Sequence, residues 1–177
     1  MCEPALPLGA RPLVAGNAKA KIVIIGQAPG RLTHEAGVPW EDKSGERLRE
    51  WLGVTSEQFY DEGLIAMVPM GFCYPGTGKG GDLPPRSECA PLWHDRILGA
   101  LKGVELRVYI GRYAIDAYLD RKRDSITDVV GDYESMLPGA IVLPHPSGRN
   151  NIWLKKNAWF GEGVLPRLQE RVRSLVS

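Results

Sequence analysis

Four short apolar runs along the chain predict β-strands. They are residues 21–25 (KIVII), 64–68 (LIAMV), 106–110 (LRVYI) and 140–143 (AIVL). The runs do not alternate strictly between apolar and polar positions, which is typical of parallel strands covered by helices on both faces. We therefore expect a four-stranded parallel sheet.

Helical patterns lie between these runs. Leu48, Trp51 and Leu52 share one helical face, and we expect Ser44 to cap this helix and Gly53 to end it. Further helices are predicted by a capping box at Thr55 and Gln58, by the stripe of Trp93, Ile97, Leu98 and Leu101, and by segments 113–119 and 159–176, the last interrupted near Pro166. This alternation predicts a three-layer α/β/α sandwich with a central four-stranded parallel sheet, formed by a single domain.

Two stretches lack a periodic pattern. Residues 1–20 contain Pro4, Pro7 and Pro12, and we expect this segment to run extended around the domain. Residues 71–86 (GFCYPGTGKGGDLPPR) are rich in glycine and proline and follow the second predicted strand. Long irregular loops in compact domains are commonly functional, so we expect residues 71–86 to take part in function.

Polar loops follow the first and the last predicted strand. Residues 26–31 (GQAPGR) come directly after the first strand, and residues 145–150 (HPSGRN) come shortly after the last. We refer to them as the first and second motif loops. In open α/β sheets, ligands bind beyond the carboxyl ends of the strands, so we expect both loops to lie at a ligand site.

Composition and charge are those of an ordinary globular protein. The chain has 177 residues, of which 44% are hydrophobic and 24% charged, and its net charge is +1. No apolar run approaches the ~20 residues that a membrane span requires, and no secretory signal is visible, so a cytoplasmic protein is expected. We also expect the protein to be a monomer. Basic side chains cluster locally at Arg149, Lys155 and Lys156, whereas the run at 121–123 (RKR) is typical of solvated surface.

The two motif loops resemble those of the uracil-DNA glycosylase superfamily, and most of all its iron–sulfur (family 4-like) members. In those members the first motif is followed by Gly, Pro, an aromatic residue, Gly and Leu in this order, as in residues 37–48 (GVPWEDKSGERL). The second motif loop resembles the family's His-Pro-Ser loop. The resemblance implies excision of a flipped base from DNA, in base excision repair.

The resemblance also implies roles for individual residues. Trp40 would stack on the flipped base, in a pocket that it shares with Gln27, Ala28 and Asn150. His145 would donate a hydrogen bond to the departing base, on which negative charge develops. The residues expected to contact DNA are Pro29, Gly30, Ser147, Gly148 and Arg149.

The chain departs from the family at two positions. Members that excise uracil fastest have Asp where this chain has Ala28, and iron–sulfur members have Glu where it has Gln27. A glutamine amide binds a base or a water but cannot usefully accept a proton, so Asp42 is our preferred catalytic carboxylate, beside Gln27. The family's base-reading Asn is replaced by Pro69, which leaves the preference for uracil open.

The cysteines carry a further similarity to the iron–sulfur members. Cys73 and Cys89 have a spacing similar to that of the family's two central cluster ligands, and Cys2 would correspond to one of an N-terminal pair. A [4Fe-4S] cluster ordinarily takes four thiolates, so one ligand is missing from this chain. The cysteines are therefore either ligands of such a cluster or structural residues.

Three hypotheses about function follow. The first is a DNA glycosylase that hydrolyses the N-glycosidic bond of uracil or another deaminated base. The second is a catalytically inactive nucleic-acid-binding protein of the same fold, which the residues at positions 27, 28 and 69 favour. The third is an enzyme that acts on a free nucleoside or nucleotide.

Overall fold

The computed structural model describes residues 3–177 and has a parallel β-sheet at its centre. The strands are β1 (Ile22–Ile25), β2 (Ile65–Met67), β3 (Thr77–Gly78), β4 (Gly81–Asp82), β5 (Leu106–Ile110) and β6 (Ala140–Leu143). The sheet has the order β2-β1-β5-β6, and all three of its strand pairs are parallel. Its four strands match the predicted ones, to within one residue at each end.

Both faces of the sheet are covered. Each residue of β1 is at most 1% exposed, although successive side chains of a strand point to opposite faces. The same complete burial extends over β2, and β6 is buried except at its first residue. The predicted three-layer α/β/α sandwich is therefore confirmed.

The helices account for most of the remaining chain. They are α1 (Arg31–Ala36), α2 (Lys43–Leu52), α3 (Ser56–Tyr60), α4 (Cys89–Ala100), α5 (Arg112–Tyr118), α6 (Ile126–Gly131), α7 (Tyr133–Met136), α8 (Asn151–Lys156) and α9 (Leu165–Val176). The capping box of Thr55 and Gln58 is present at α3, and Gly53 ends α2 as predicted. Ser44 was the wrong cap for α2, because Asp42 is the extended residue whose carboxylate accepts the Gly45 N–H.

One other helix differs in detail from the prediction. In α4, Trp93 is 45% exposed, and the buried residues are instead Cys89 and His94. The last helical segment is interrupted as predicted, by a π-helical turn at Phe160–Val164 that leads into α9. Pro166 lies in the first turn of α9, where its missing N–H leaves no hydrogen bond broken.

The described residues of the two stretches without a periodic pattern pack against the domain. The N-terminal segment runs along the free edge of the sheet, where Ala15 and Met67 exchange two backbone hydrogen bonds of 3.1 and 2.8 Å. Residues 71–86 contain the antiparallel hairpin of β3 and β4. Both segments stand beside the carboxyl end of β2 and help to enclose the site. Within the described residues, no helix combines the length and the apolar character needed to cross a membrane.

Candidate active site

A cavity of about 380 Å³ opens at the carboxyl ends of β1 and β6. It is bounded by both motif loops, by the turn that precedes α2 and by the β3–β4 hairpin. Of the residues predicted for this site from sequence, those lining the cavity are Gln27, Ala28, Pro29, Gly30, Trp40, Asp42, His145, Ser147, Arg149 and Asn150. Gly148 is exposed in the same loop. Segments far apart in sequence thus meet at one site.

His145 stands at the start of the second motif loop, next to the end of β6. Its Nδ1 accepts a hydrogen bond from the backbone N–H of Ser147 at 3.3 Å. In a neutral imidazole the proton then resides on Nε2, which becomes a donor. Burial lowers the pKa of His145, and the nearby carboxylates of Asp42 and Asp82 only partly oppose this shift. The arrangement favours a neutral imidazole with an Nε2–H donor.

The backbone of the second motif loop is braced from two sides. Asn150 Nδ2 donates to the His145 carbonyl at 2.7 Å, so this amide nitrogen is engaged within the loop itself. Arg47, on α2, donates from Nη1 to the Ser147 carbonyl at 3.2 Å and to Asn151 Oδ1 at 2.9 Å. These contacts fix the position of His145 relative to α2, and sequence reasoning did not identify Arg47.

Trp40 forms a wall of the cavity in an unusual backbone conformation. It is the one non-glycine residue of the described chain with positive φ, at 59°. Its ring centroid lies 5.8 Å from that of His145, at an interplanar angle of 33°. A Cβ at Gly26 would come within 2.9 Å of the indole, and a Cβ at Gly45 within 1.8 Å of the Trp40 carbonyl oxygen. Two glycines therefore make room for Trp40 beside the catalytic histidine candidate.

The first motif loop offers an amide at the floor of the site. The carbonyl groups of Gly26 and Gln27 accept hydrogen bonds of 2.9 Å from the N–H groups of Met70 and Gly71, so the backbone here is held in place. Within residues 3–177 the side-chain amide of Gln27 makes no hydrogen bond. This amide is consequently available to a ligand, as donor and as acceptor.

Asp42 lines the cavity but also has a structural task. Its Oδ1 accepts the Gly45 N–H at 2.8 Å as the N-cap of α2, and its Oδ2 lies 3.5 Å from the hydroxyl of Thr33. One carboxylate oxygen is thus committed to the helix end.

The hairpin contributes two cavity residues that sequence reasoning missed, Asp82 and Leu83. The hairpin is tied to the second motif loop, because Arg149 Nη1 donates to the Gly80 carbonyl at 2.8 Å. Gly81 has a φ of 123°, and a Cβ there would fall 2.0 Å from the same guanidinium. The glycine content of residues 71–86 signalled a functional loop, but only the folded hairpin places Asp82 at the cavity.

Pro69 lines the cavity where the family carries its base-reading Asn, and its carbonyl faces away towards α4. That carbonyl accepts a hydrogen bond of 3.0 Å from His94 Nε2, while His94 Nδ1 contacts the Tyr118 hydroxyl. His94 is 2% exposed and stacks on Phe72, so its role is structural. His34 is likewise buried, on α1, and does not line the cavity.

The two cysteines of the described residues do not by themselves form a complete cluster site. Cys73 and Cys89 are buried, and Cys2 lies outside the described residues. In the part of the chain that the structure describes, no three His, Cys, Asp or Glu side chains are grouped to hold a metal ion. The sequence has three cysteines against the four thiolates that a four-iron cluster ordinarily takes.

Comparison with known proteins identifies the family to which this chain belongs. The family model of the uracil DNA glycosylase superfamily matches residues 13–169, which include every cavity residue named above. A curated relative, the type-4 uracil-DNA glycosylase of Thermotoga maritima, is 29% identical over 139 residues. That match covers 75% of this chain and 67% of the relative.

Proposed function

Because this chain belongs to the uracil DNA glycosylase superfamily, we propose that it is a DNA glycosylase acting on a base flipped into the cavity between the motif loops. The observation that carries the proposal is the pairing of His145 with Trp40. A partly buried imidazole, whose Nδ1 accepts a backbone hydrogen bond, lies against an aromatic ring held at positive φ. Backbone strain of this kind costs of order 1–3 kcal/mol and is commonly kept at functional sites.

Base binding in this proposal combines stacking with amide hydrogen bonds. Trp40 supplies an aromatic face, and stacking of a base on such a ring contributes about 1–3 kcal/mol. Gln27 supplies an unengaged amide, and Ala28 leaves space beside it because its side chain is a single methyl group. The Asn150 side chain retains its oxygen as an acceptor, since its nitrogen is bonded to the His145 carbonyl.

The proposed reaction mechanism follows from where negative charge develops as the glycosidic bond breaks. Breaking the bond between the sugar C1′ and the base nitrogen leaves the electron pair on the base. His145 Nε2–H donates to an oxygen of that base and stabilises the charge where it appears. A water then adds to C1′, which completes hydrolysis. No step of this proposal uses an iron–sulfur cluster.

DNA binding is assigned to the surface around the cavity mouth. Ser147, Gly148 and Arg149 lie on the second motif loop, and Pro29 and Gly30 on the first. Lys155 and Lys156 are exposed at the end of α8, which is anchored where Trp153 Nε1 donates to Thr127 Oγ1 at 2.9 Å. We propose that these groups hold the phosphates of the strand whose nucleotide is flipped, with the protein acting as a monomer in the cytoplasm.

The preferred base is a separate question from the activity. Pro69 offers no side-chain donor or acceptor, and its carbonyl is already bonded to His94. Recognition therefore depends on Gln27, His145 and backbone groups, which are compatible with uracil and with other deaminated bases that carry a carbonyl oxygen. We infer that deaminated bases are the substrate class.

A second candidate is a nucleic-acid-binding protein of the same fold without catalytic activity. The observation that favours it is the absence of a carboxylate from the first motif loop, where Gln27 and Ala28 stand. It shares the cavity and the DNA surface with the first candidate, so binding alone does not separate the two.

Base release from labelled oligonucleotides tests the proposal. The panel contains uracil, hypoxanthine, xanthine and a thymine mismatch, each in single and double strands, with an undamaged strand as control. We expect release of at least one deaminated base. Binding of the oligonucleotides without any release would favour the inactive protein, and neither binding nor release would reject both candidates.

The iron–sulfur cluster remains a prediction with an experiment of its own. Iron and acid-labile sulfide are determined in protein purified without oxygen, together with a Cys73→Ser, Cys89→Ser variant. Iron that disappears in the variant would support a cluster on these cysteines. Iron-free protein with full activity would assign them a structural role.

A further inference from the structure

Two carboxylates face His145 across the cavity, and they differ in how they are held. Asp42 and Asp82 both line the cavity, and both act on the charge of the His145 imidazole. Asp42 was the carboxylate expected from sequence. Asp82 reaches the cavity from the hairpin, about forty residues further along the chain.

The Asp42 carboxylate is held by a hydrogen bond within the protein. It accepts the Gly45 N–H at 2.8 Å, and this bond caps α2. The oxygen that accepts this bond is oriented towards the end of the helix rather than towards a substrate. Moving it towards a substrate would also leave the first turn of α2 without its cap.

The Asp82 carboxylate is much less engaged. Its side-chain hydrogen bond is a long one, 3.5 Å from the Thr77 hydroxyl to Oδ1. Its Oδ2 lies 3.5 Å from the position that a Cβ of Gly30 would take, so this oxygen faces the first motif loop directly. Asp82 is exposed, which gives water access to the carboxylate.

The hairpin holds Asp82 in this position from both sides. Thr77 and Asp82 are cross-strand partners, and the N–H of Leu83 donates to the Gly76 carbonyl at 2.8 Å. Arg149 ties the hairpin turn to the second motif loop through Gly80. The carboxylate is therefore carried by a short, anchored element that spans the two motif loops.

We propose that Asp82 is the catalytic carboxylate of this site, acting on the water that attacks the sugar; this rests on the proposed glycosylase function. As the bond from C1′ to the base breaks, its electron pair leaves with the base. The water oxygen forms the new bond to C1′, and the Asp82 carboxylate takes the proton that the water releases. That proton passes to solvent, and the base anion takes one proton from solvent. Asp82 thus supplies the carboxylate that positions 27 and 28 lack.

Isosteric variants test this assignment. Base release is measured under single turnover, and DNA affinity is measured separately, for Asp82→Asn, Asp42→Asn and Asp120→Asn. Asp120 is exposed and does not line the cavity, so its variant matches the change in charge alone. We expect Asp82→Asn to release the base at least about 100-fold more slowly, in line with the contribution of a general base. Its DNA affinity stays equal to that of Asp120→Asn.

Chemical rescue provides a second readout. Formate, a small carboxylate, is expected to restore part of the activity of Asp82→Ala and none of the activity of His145→Ala. A merely structural role of Asp82 in the hairpin would give no rescue.

The outcomes separate this inference from the function on which it rests. Equal base release by Asp82→Asn and Asp120→Asn would overturn the role of Asp82 and leave the glycosylase standing. A larger loss in Asp42→Asn than in Asp82→Asn would return the role to Asp42. No release by the unmodified protein from any substrate would overturn the glycosylase and this inference together.

Discussion

At the scale of single residues, the site depends on how Trp40 is accommodated. Its positive φ and its contact with His145 are both imposed by neighbours rather than by local preference, since tryptophan does not favour this conformation. Gly45 approaches the Trp40 backbone so closely that a side chain at position 45 has no room. Gly45 lies inside α2, and its lack of a side chain leaves space for Trp40 in the wall of the cavity.

Two helix glycines give a matched test of this account. Gly45 and Gly99 both lie within helices, where alanine is favoured by about 1 kcal/mol. Gly99→Ala has nothing within 4 Å of the new Cβ and is expected to raise the free energy of unfolding. Gly45→Ala is expected to lower it by about 1–3 kcal/mol, the usual cost of overpacking, and to weaken base release. Thermal unfolding of both variants measures this, and a stabilised Gly45→Ala would show that Trp40 is not so confined.

The protonation state of His145 is a second property that depends on the surroundings of a single residue. Its pKa is lowered by burial, so we expect a neutral ring with the proton on Nε2 at pH 7. The unfolded chain binds this proton at the usual pKa of about 6.5, above the folded value. The free energy of unfolding should therefore fall as the pH decreases from about 6.5 through the folded pKa, and the buried His94 contributes in the same direction.

Nitrogen chemical shifts in an NMR titration measure the His145 pKa directly, with His145→Ala for assignment. A pKa below about 6.5 and an Nε2-protonated tautomer are expected. A pKa above about 6.5, with both nitrogens protonated at pH 7, would contradict the neutral donor.

At the scale of elements, the middle of α2 and the start of α8 hold the second motif loop. Arg47 on α2 bonds to Ser147 and to Asn151, the first residue of α8, so α2 supports the loop that carries His145. The start of α2 is in turn fixed by Asp42, which is also a cavity residue. Asp42 therefore caps α2 and also lines the cavity. Substitutions that keep or remove its capping bond separate these two roles.

We expect the stability of Asp42 variants to depend on whether the new side chain can cap α2. Asn is about as good an N-cap as Asp, whereas Ala has no side-chain acceptor. Asp42→Ala should lower the free energy of unfolding by about 1 kcal/mol, and Asp42→Asn should leave it nearly unchanged. Denaturant unfolding of the two variants decides this. Equal destabilisation in both would mean that the charge of Asp42, and not its capping bond, stabilises the protein.

At the scale of the whole molecule, the sheet and the motif loops could be predicted from sequence, because their signals are local. Apolar runs mark the strands, and glycine, proline and polar residues mark the turns that follow them. Contacts between distant segments had no such signal. Asp82 enters the site only through the hairpin, Arg47 only through α2, and the cap of α2 was placed at Ser44 because Ser and Asp are both good caps.

The basic surface is also a property of the whole molecule, because the net charge of +1 gives no general attraction for DNA. Affinity should then depend on local contacts near the second motif loop. Lys155→Gln with Lys156→Gln is expected to reduce the salt dependence of DNA binding, by roughly one unit of log–log slope for each phosphate that is no longer neutralised. The matched control is Lys122→Gln with Arg123→Gln, in the exposed basic run outside the cavity. Equal changes in both variants would indicate attraction by overall charge.

The central claim is that His145 stabilises the departing base, and one comparison tests it most directly. Single-turnover base release and DNA affinity are measured for the unmodified protein and for His145→Ala, on the oligonucleotide that is cleaved best. Loss of a hydrogen-bond donor to developing charge costs about 10²–10³ in rate, so we predict a decrease of this size with unchanged DNA affinity. Base release that persists at the original rate in His145→Ala would contradict the account.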